Sequence, residues 1–572
     1  MKPTPDQINA LCKVLEGKLS TRFVNILLGE EKLDLGLFSD DIKSLTTRKK
    51  LEVLAHRKGS QFFSGSHQLT KELREKLILS LNESRVHKLF EESNIDTSGL
   101  SVKHRARKLA EQRWVAGKSW PLKFCRVMGI PKIYAGLRPS DKPPDIEEID
   151  PLFKPPELTN FQIELKENLL DILEKRENKT RCIVSLPTGG GKTRTAVEAF
   201  IQWLQPRFAN GLYLIWIAQS EELCNQAIEC IKQLWAAKEF NETLRVYRYF
   251  GGTKIDVNEL EGGVVVSTIH QLHYRLKKKE KTVTEIISKT GSVIIDEAHR
   301  AATDMYKSFF DYCKELHSED LFPVCGLTAT PGRSFDDTPR LVDVFESTLF
   351  TPTLPEEFDK NPLEYFRKNG YLARPKARQI KTNFRVKVTD DLKVNYPGKK
   401  EFEVLEEEII DDKLIKDLAS DEQRNRLIID KLRKIPKGKQ TIVYACTVKH
   451  AEDIATVLCV HGRSAASISA KTPRHYRRKL VEQFKNNDIE FLVNYGVLTT
   501  GFDAPKTEYI VLCRPTFSEV LYEQIVGRGL RGPKFGGTEY CEIIDFEDNF
   551  DRFGDQLAYT RFSDFWETDQ KY

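Results

Sequence analysis

Hydrophobic and polar positions recur with two different periods along this chain. In the first hundred residues the apolar positions fall three or four apart: Leu11, Val14, Leu15 and Leu19, then Leu73, Leu77 and Leu81. That is helical spacing, so residues 1 to about 102 are expected to form short helices with polar joints. The turn-rich stretch Pro139-Ser-Asp-Lys-Pro-Pro144, an acidic patch (Glu147, Glu148, Asp150) and Pro155-Pro156 mark residues 139–156 as a linker. From Thr159 the texture changes. Short β-branched runs, at 181–185, 212–217, 264–267 and 292–295, alternate with helical patterns. A second series begins near Gln440, with runs at 441–444, 490–493, 509–512 and 542–544. Such alternation is the signature of parallel sheets covered by helices. The alternating segment Gln379–Val386, within 375–415, predicts a small strand-rich connection or insertion between the two series.

These shifts divide the chain into a helical N-terminal accessory domain (1–138), the linker (139–156), a first α/β domain (157–352), a connector (353–439), a second α/β domain (440–550) and a tail (551–572). A chain of 572 residues is too long for one core, so several domains are expected. A net charge of +5 is a weak pointer to a polyanionic partner. No apolar run is long enough to predict a membrane span, and the N-terminus carries no apolar signal core, so a cytoplasmic location is expected. The eleven cysteines form no Cys-x-x-Cys pair, which argues against a zinc ribbon or redox motif and for free thiols in a reducing compartment.

Chemistry enters with four segments. Ser185-Leu-Pro-Thr-Gly-Gly-Gly-Lys-Thr193 follows a predicted strand and opens a predicted helix. Thr188, Gly189, Gly190 and Gly191 let backbone N–H groups curl around phosphates, and Lys192 adds a point charge for the β- and γ-phosphates. Thr193 offers a hydroxyl to Mg²⁺. A flexible glycine turn is the bland alternative, and the strand–helix setting disfavours it. Asp296-Glu-Ala-His299 ends another apolar strand; Asp296 suits Mg²⁺ and Glu297 suits the orientation of an attacking water, with His299 facing a domain gap. Leu327-Thr-Ala-Thr-Pro331 looks like a relay between nucleotide state and conformation. Gln524-Ile-Val-Gly-Arg-Gly-Leu-Arg531 places Gln524, Arg528 and Arg531 at the same chemistry, the two arginines three apart on one expected helical face as transition-state fingers. Gln162, just upstream of the first strand, could pair with the edge of adenine. A nucleotide site whose parts lie over 300 residues apart (Lys192 to Arg528) must be shared by two domains.

These segments, in this order, resemble superfamily 2 helicases and translocases of the DEAH type, and most of all bacterial proteins related to the motor subunits of type I and type III restriction enzymes and to excision-repair helicases. The resemblance spans about residues 157–550. Glu221-Glu-Leu-Cys-Asn-Gln226, Ser267-Thr-Ile-His-Gln-Leu272, Thr328-Ala-Thr330, Tyr444-Ala-Cys-Thr447, Asn494–Asp503 and Arg514-Pro-Thr-Phe-Ser518 carry it. It implies an α/β fold of two RecA-like parallel-sheet domains behind a mainly helical N-terminal domain, with ATP and Mg²⁺ in the cleft. It implies strand contacts at Ser267, Thr268, Thr499 and Thr500, nucleotide contacts at Gly501 and Asp503, and coupling through His299, Thr328 and Thr330. Ala218-Gln219-Ser220 departs from the Pro-Thr-x-Glu-like sequence of many relatives, so phosphate contacts are not carried onto Gln219 or Ser220.

Outside the resemblance one segment stands out. Residues 103–138 hold ten Lys/Arg and one acid, Glu111, with Trp114, Trp120, Phe124 and Tyr134 interleaved. Lys103, Arg105, Arg107 and Lys108 could track phosphates while Trp114 stacks on a base. Equally, the segment could be a basic connector pinned by its tryptophans. The expectation is an ATP-dependent helicase or translocase acting on nucleic acid, DNA before RNA, in restriction-type antiviral defence or repair. A nuclease or other defence subunit would be its partner through the N-terminal domain. The alternative is an ATP-gated clamp or sensor that signals to a partner without unwinding.

Overall fold

The computed structural model describes residues 3–31, 46–91, 100–136, 146–149, 157–176, 179–238, 240, 242–253, 255–317, 322–332, 338–359, 361–382, 412–497, 504–514, 522 and 525–546. The N-terminal part is helical: α1 (Pro5–Leu15), α2 (Thr21–Glu30), α3 (Thr47–Lys58), α4 (Gln68–Leu79), α5 (Glu83–Glu91), α6 (Val102–Ala110) and α7 (Ser119–Met128). Hydroxyl caps start these helices. Thr4 and Gln7 make a reciprocal capping box on α1, and Ser20, Thr46 and Ser101 each accept from a first-turn N–H. Leu11, Leu15, Leu73 and Leu77 are buried, as their spacing predicts.

The aromatics of 103–138 complete this core. Phe63 lies 6.0 Å from Trp114 and 5.4 Å from Phe124, ring to ring, and the Arg74 guanidinium sits 5.4 Å from the Trp114 centroid. Trp114 is only 9% exposed, so the expectation that it stacks on a base is corrected: its ring is spent on the helical core.

The first α/β domain runs β1 (Ile146–Ile149), α8 (Asn160–Leu173), β2 (Arg181–Ser185), α9 (Lys192–Leu204), β3 (Tyr213–Ala218), α10 (Glu221–Trp235), β4 (Leu244–Tyr249), β5 (Gly263–Thr268), α11 (Ile269–Lys277), α12 (Lys281–Ser288), β6 (Thr290–Asp296), α13 (Asp304–Leu316), β7 (Val324–Thr328), α14 (Thr338–Val344) and β8 (Leu349–Phe350). Its strand order is β1-β4-β5-β3-β6-β7-β2-β8. The pairings are parallel except for β1, which runs antiparallel to β4. Residues 146–149, expected as linker, therefore form an edge strand: the backbone of β4 offers unpaired groups that the acidic segment satisfies.

After α15 (Pro362–Lys368) the second domain runs β9 (Arg374–Ile380), α16 (Asp412–Ser420), α17 (Glu422–Lys434), β10 (Thr441–Tyr444), α18 (Val448–Val460), β11 (Ala465–Ser469), α19 (Arg474–Lys485), β12 (Phe491–Tyr495), β13 (Tyr509–Leu512) and β14 (Tyr540–Phe546). The order is β11-β12-β10-β13-β14-β9, all parallel. β9 lies in the expected connector yet extends this sheet at its edge, and Ile428, Ile429 and Leu432 of α17 pack under it. The second domain thus begins in space well before residue 440. The rest of the expected insertion, 383–411, falls outside the described residues.

The chain therefore adopts two RecA-like parallel-sheet domains and a helical N-terminal region. That region sits on the second domain. One apolar core joins Leu51, Leu54, Phe62 and Phe124 to Ala451, Ile454 and Leu458 of α18. Burying each leucine or isoleucine there contributes about 1.5–3 kcal/mol. Among the described residues no helix is long and apolar enough to cross a membrane.

Candidate nucleotide site between the two sheets

In both sheets, loops at the carboxyl ends of parallel strands gather the polar residues, the usual place for a ligand in open α/β sheets. β2 delivers the glycine loop. Gly189 and Gly191 adopt left-handed φ values of +87° and +88°, which frees the loop to turn sharply before α9 starts at Lys192. The Lys192 ammonium reaches back across the loop to the Leu186 carbonyl at 3.0 Å, and Thr193 stands beside it in the first turn.

Gln162 is fully buried beneath this loop. Its carbonyl accepts from Thr159 N at 3.0 Å and its amide donates to Gly190 O at 3.3 Å. A Cβ on Gly191 would lie 2.4 Å from that amide nitrogen. As third residue of a helix-capping box, the amide braces the glycine loop in this conformation.

β6 ends at Asp296, which is 5% exposed. Burial first, then the neighbouring Glu297 carboxylate, push the Asp296 carboxyl up to about 7 against the pull of Lys192 and of Arg528. A buried carboxylate crowded by Glu297 and facing Lys192 has the chemistry to hold a divalent cation. Glu297 has a φ of +54°, a strained value for a residue with a Cβ, and such strain gathers at functional sites. Its N–H donates to Asp296 Oδ1 at 3.0 Å.

His299 links this site to the strand beside it. Its Nδ1 lies 3.4 Å from Glu297 Oε2 and 3.2 Å from Thr328 Oγ1 at the end of β7. The Thr328 hydroxyl donates to Thr330 O at 2.9 Å, so the proton in the His299–Thr328 contact comes from His299 Nδ1. Thr330 N returns a bond to the same hydroxyl at 3.1 Å. The residues expected to couple thus form one chain of contacts starting at Glu297.

The second domain closes the site. Gly527–Gly529 make one 3₁₀ turn facing the glycine loop, and a Cβ on Gly527 would lie 2.3 Å from Thr188 Cγ2. The Arg531 stem comes 3.4 Å from where a Cβ on Gly189 would stand. The expectation that the two arginines share one helical face is corrected: the local helix is a single 3₁₀ turn that ends at Gly529. Arg528 rides the 3₁₀ turn, and Arg531 lies beyond it in a bridge with Leu372, secured by Ala373 N to Leu530 O at 2.8 Å. That support from the segment before β9 is invisible in sequence. Gln524, Gly501, Asp503, Thr499 and Thr500 lie outside the described residues.

The expected strand-contacting residues divide. Ser267 is fully buried and donates to Tyr249 O at 2.6 Å, and Thr268 is 9% exposed and caps α11. Both hydroxyls serve the junction of β5 and α11 in this conformation. Lys103, Arg107 and Lys108 on α6 are exposed, with Arg107 3.2 Å from Glu111. Arg105 is half-buried over Phe90 and donates to Leu100 O at 2.7 Å, so it serves its own helix end. Arg477 of α19 went unnoticed in the sequence. It crosses the cleft to Glu222 on α10, and only the basic run Arg474–Lys479 hinted at it.

Comparisons with known proteins agree with this layout. Residues 156–333 match the family described as type III restriction enzyme, res subunit, and residues 423–532 match the helicase conserved C-terminal domain. The chain is 26% identical over 375 residues to the helicase IRC3 of Saccharomyces cerevisiae, covering 65% of this chain and 49% of that protein. It is 25% identical over 299 residues to a 51.5 kDa protein of a Lactococcus phage, covering 52% and 58%. A type I restriction enzyme EcoAI endonuclease subunit of Escherichia coli is 22% identical over 429 residues, covering 69% and 47%. The chain spans about half the length of the curated relatives it matches.

Proposed function

As a chain that belongs to the superfamily 2 helicases, related to the motor subunits of restriction enzymes, it is an enzyme of the ATP-dependent helicase class, and we propose that it hydrolyses ATP to move along a DNA backbone. The observation that carries this reading is the divided site: the Gly527 turn on the second sheet's side packs on Thr188 of the glycine loop, and the Arg531 stem packs beside Gly189. A nucleotide held there touches both domains, so its hydrolysis opens and closes the gap between them.

In this reading the glycine loop and the start of α9 cradle the phosphates, and Lys192 neutralises them. Glu297 orients the attacking water and takes its proton, and Arg528 and Arg531 meet the charge that spreads over the transferred phosphoryl oxygens. Asp296 and Thr193 would hold Mg²⁺, which supplies charge neutralisation on the phosphates when bound. His299 and Thr328 carry the state of Glu297 to the next strand. DNA is preferred over RNA because of the likeness to the type I restriction subunit, and a restriction-type defence setting with a protein partner rests on the same likeness.

The test is steady-state ATPase activity with single-stranded DNA, duplex DNA, forked DNA and RNA, beside a strand-displacement assay. Stimulation by DNA with movement is the expected result. Wild-type turnover by Lys192→Ala would sink the site assignment, and DNA-stimulated turnover without movement would favour the clamp.

A further inference from the structure

We infer that the outer face of α11 and the start of α12 form a contact for single-stranded nucleic acid, with Tyr274 as a stacking platform and Lys277, Lys278 and Lys281 as phosphate contacts. The inference rests on the proposed action on nucleic acid and names where, beside the nucleotide site, a strand would be held.

Four observations point to it. First, the composition is one-sided: residues 269–284 hold five Lys/Arg and a single acid, Glu280. Glu280 lies 3.4 Å from Arg275, so the one negative charge is already engaged. Second, the face is displayed. His270, Tyr274, Lys277 and Lys278 are exposed and fall at helical spacing, whereas Ile269, Leu272, Arg275 and Leu276 are buried against the domain. Tyr274 is 52% exposed, an aromatic held out of any core, and the Lys278 ammonium sits over one face of its ring, 4.6 Å from the centroid.

Third, the helix is rigidly mounted. Arg275 stacks 4.0 Å over the Tyr249 ring and donates to Thr253 O, and Thr268 caps the first turn. A mounted aromatic loses little freedom when a base stacks on it. Fourth, the position suits a strand passing the cleft. α11 leaves the carboxyl end of β5, which is two strands removed from β6 in the sheet. At about 4.8 Å per strand that sets the start of α11 roughly 10 Å from Asp296, and Tyr274, at about 1.5 Å rise per residue, stands more than a turn further along the helix, outside the nucleotide site.

The chemistry selects the occupant. Lysines alone would suit any phosphate backbone, but an exposed tyrosine adds stacking, which needs a base outside a duplex. The buried hydroxyls of Ser267 and Thr268 then have a structural role, and the contact belongs to the turns of the helix that follow them.

Binding of a fluorescein-labelled oligothymidylate and of a duplex of equal length decides it, titrated at several salt concentrations beside DNA-free ATPase. The variants are Tyr274→Ala and the triple Lys277→Ala, Lys278→Ala, Lys281→Ala. The triple variant is expected to flatten the log–log salt slope by about 0.7 for each lost single-strand contact. Tyr274→Ala is expected to weaken oligothymidylate binding roughly 5- to 150-fold, with duplex binding and basal ATPase unchanged. Wild-type affinity and slope in both variants would overturn the α11 site while leaving the proposed function standing. An equal loss on duplex in Tyr274→Ala would overturn the stacking role. Absence of any nucleic-acid binding by the wild-type chain would overturn the site together with the reading beneath it.

Discussion

Arg57, on the third helix of the N-terminal region, lies 2.9 Å from Asp453 on α18 of the second domain, with both side chains buried and 396 residues between them. Glu452 takes a second contact at 2.8 Å, and Ser60 meets Tyr476 of α19 nearby. The N-terminal helices are thereby carried by the second sheet, although the sequence joins them to the first. If the cleft opens and closes with ATP, they travel with α18 and α19.

Breaking that pair is expected to be costly. Arg57→Ala takes the 2.9 Å partner from a buried Asp453 that also meets Lys449 at 2.8 Å, and losing one partner of a buried pair costs about 3–5 kcal/mol. Hydrogen exchange on the full chain should then show α3 and α18 losing protection together. Unchanged protection in both helices would mean the apolar contacts alone hold the interface.

Gly527 is the tightest point of the closed cleft. Its φ is not in the left-handed region, so Gly527→Ala costs nothing in backbone conformation, yet the new Cβ would stand 2.3 Å from Thr188 Cγ2. The expected variant binds ATP through the intact first domain but turns it over about 100-fold or more slowly, because the arginines cannot reach the phosphates. Normal kcat in a folded Gly527→Ala protein would show that hydrolysis does not need this closure.

Thr328→Val keeps the shape of the side chain and removes the hydroxyl that joins His299 to Thr330. DNA-free ATPase is expected to survive, since Lys192, Asp296 and Glu297 are untouched, while movement per ATP hydrolysed falls. Paired ATPase and strand-displacement rates give the ratio, and an unchanged ratio would remove this contact from the coupling path.

His450 makes the second domain acid-sensitive. Burial first, then Arg424 and Lys449, lower its pKa to about 3, while its Nδ1 accepts from Cys446 N at 3.2 Å. As pH falls below about 6.5 the unfolded histidine takes up a proton that the folded one refuses, so stability present above that pH is lost on the way to 3. His450→Asn retains an acceptor and removes the titration. Between pH 7.5 and 5 the wild type should lose up to about 2 kcal/mol more than the variant, read from urea melts of the second domain. Parallel losses would assign the acid sensitivity elsewhere.

Local chemistry makes much of this protein legible in its sequence. The spacing of apolar residues announced short helices and then two βαβ series, because a strand buried on both faces must be apolar and a helix needs a stripe. The glycines before Lys192 and the Asp296-Glu297 pair announced a phosphate site, because such residues at strand ends have few other uses. What lay beyond reach were relationships that depend on where distant surfaces meet. Nothing near Ile146 says that it will pair with Tyr247, nothing near Arg374 says that it will extend the second sheet, and nothing near Arg57 names Asp453. Trp114 and Tyr274 make the point most sharply. Both are aromatics in basic, helical surroundings, yet one is 9% exposed and the other 52%. Composition is the same for a core ring and a presented one; the packing of Phe63, Phe124 and Arg74 around the first, against the Lys278 ammonium over the second, separates them.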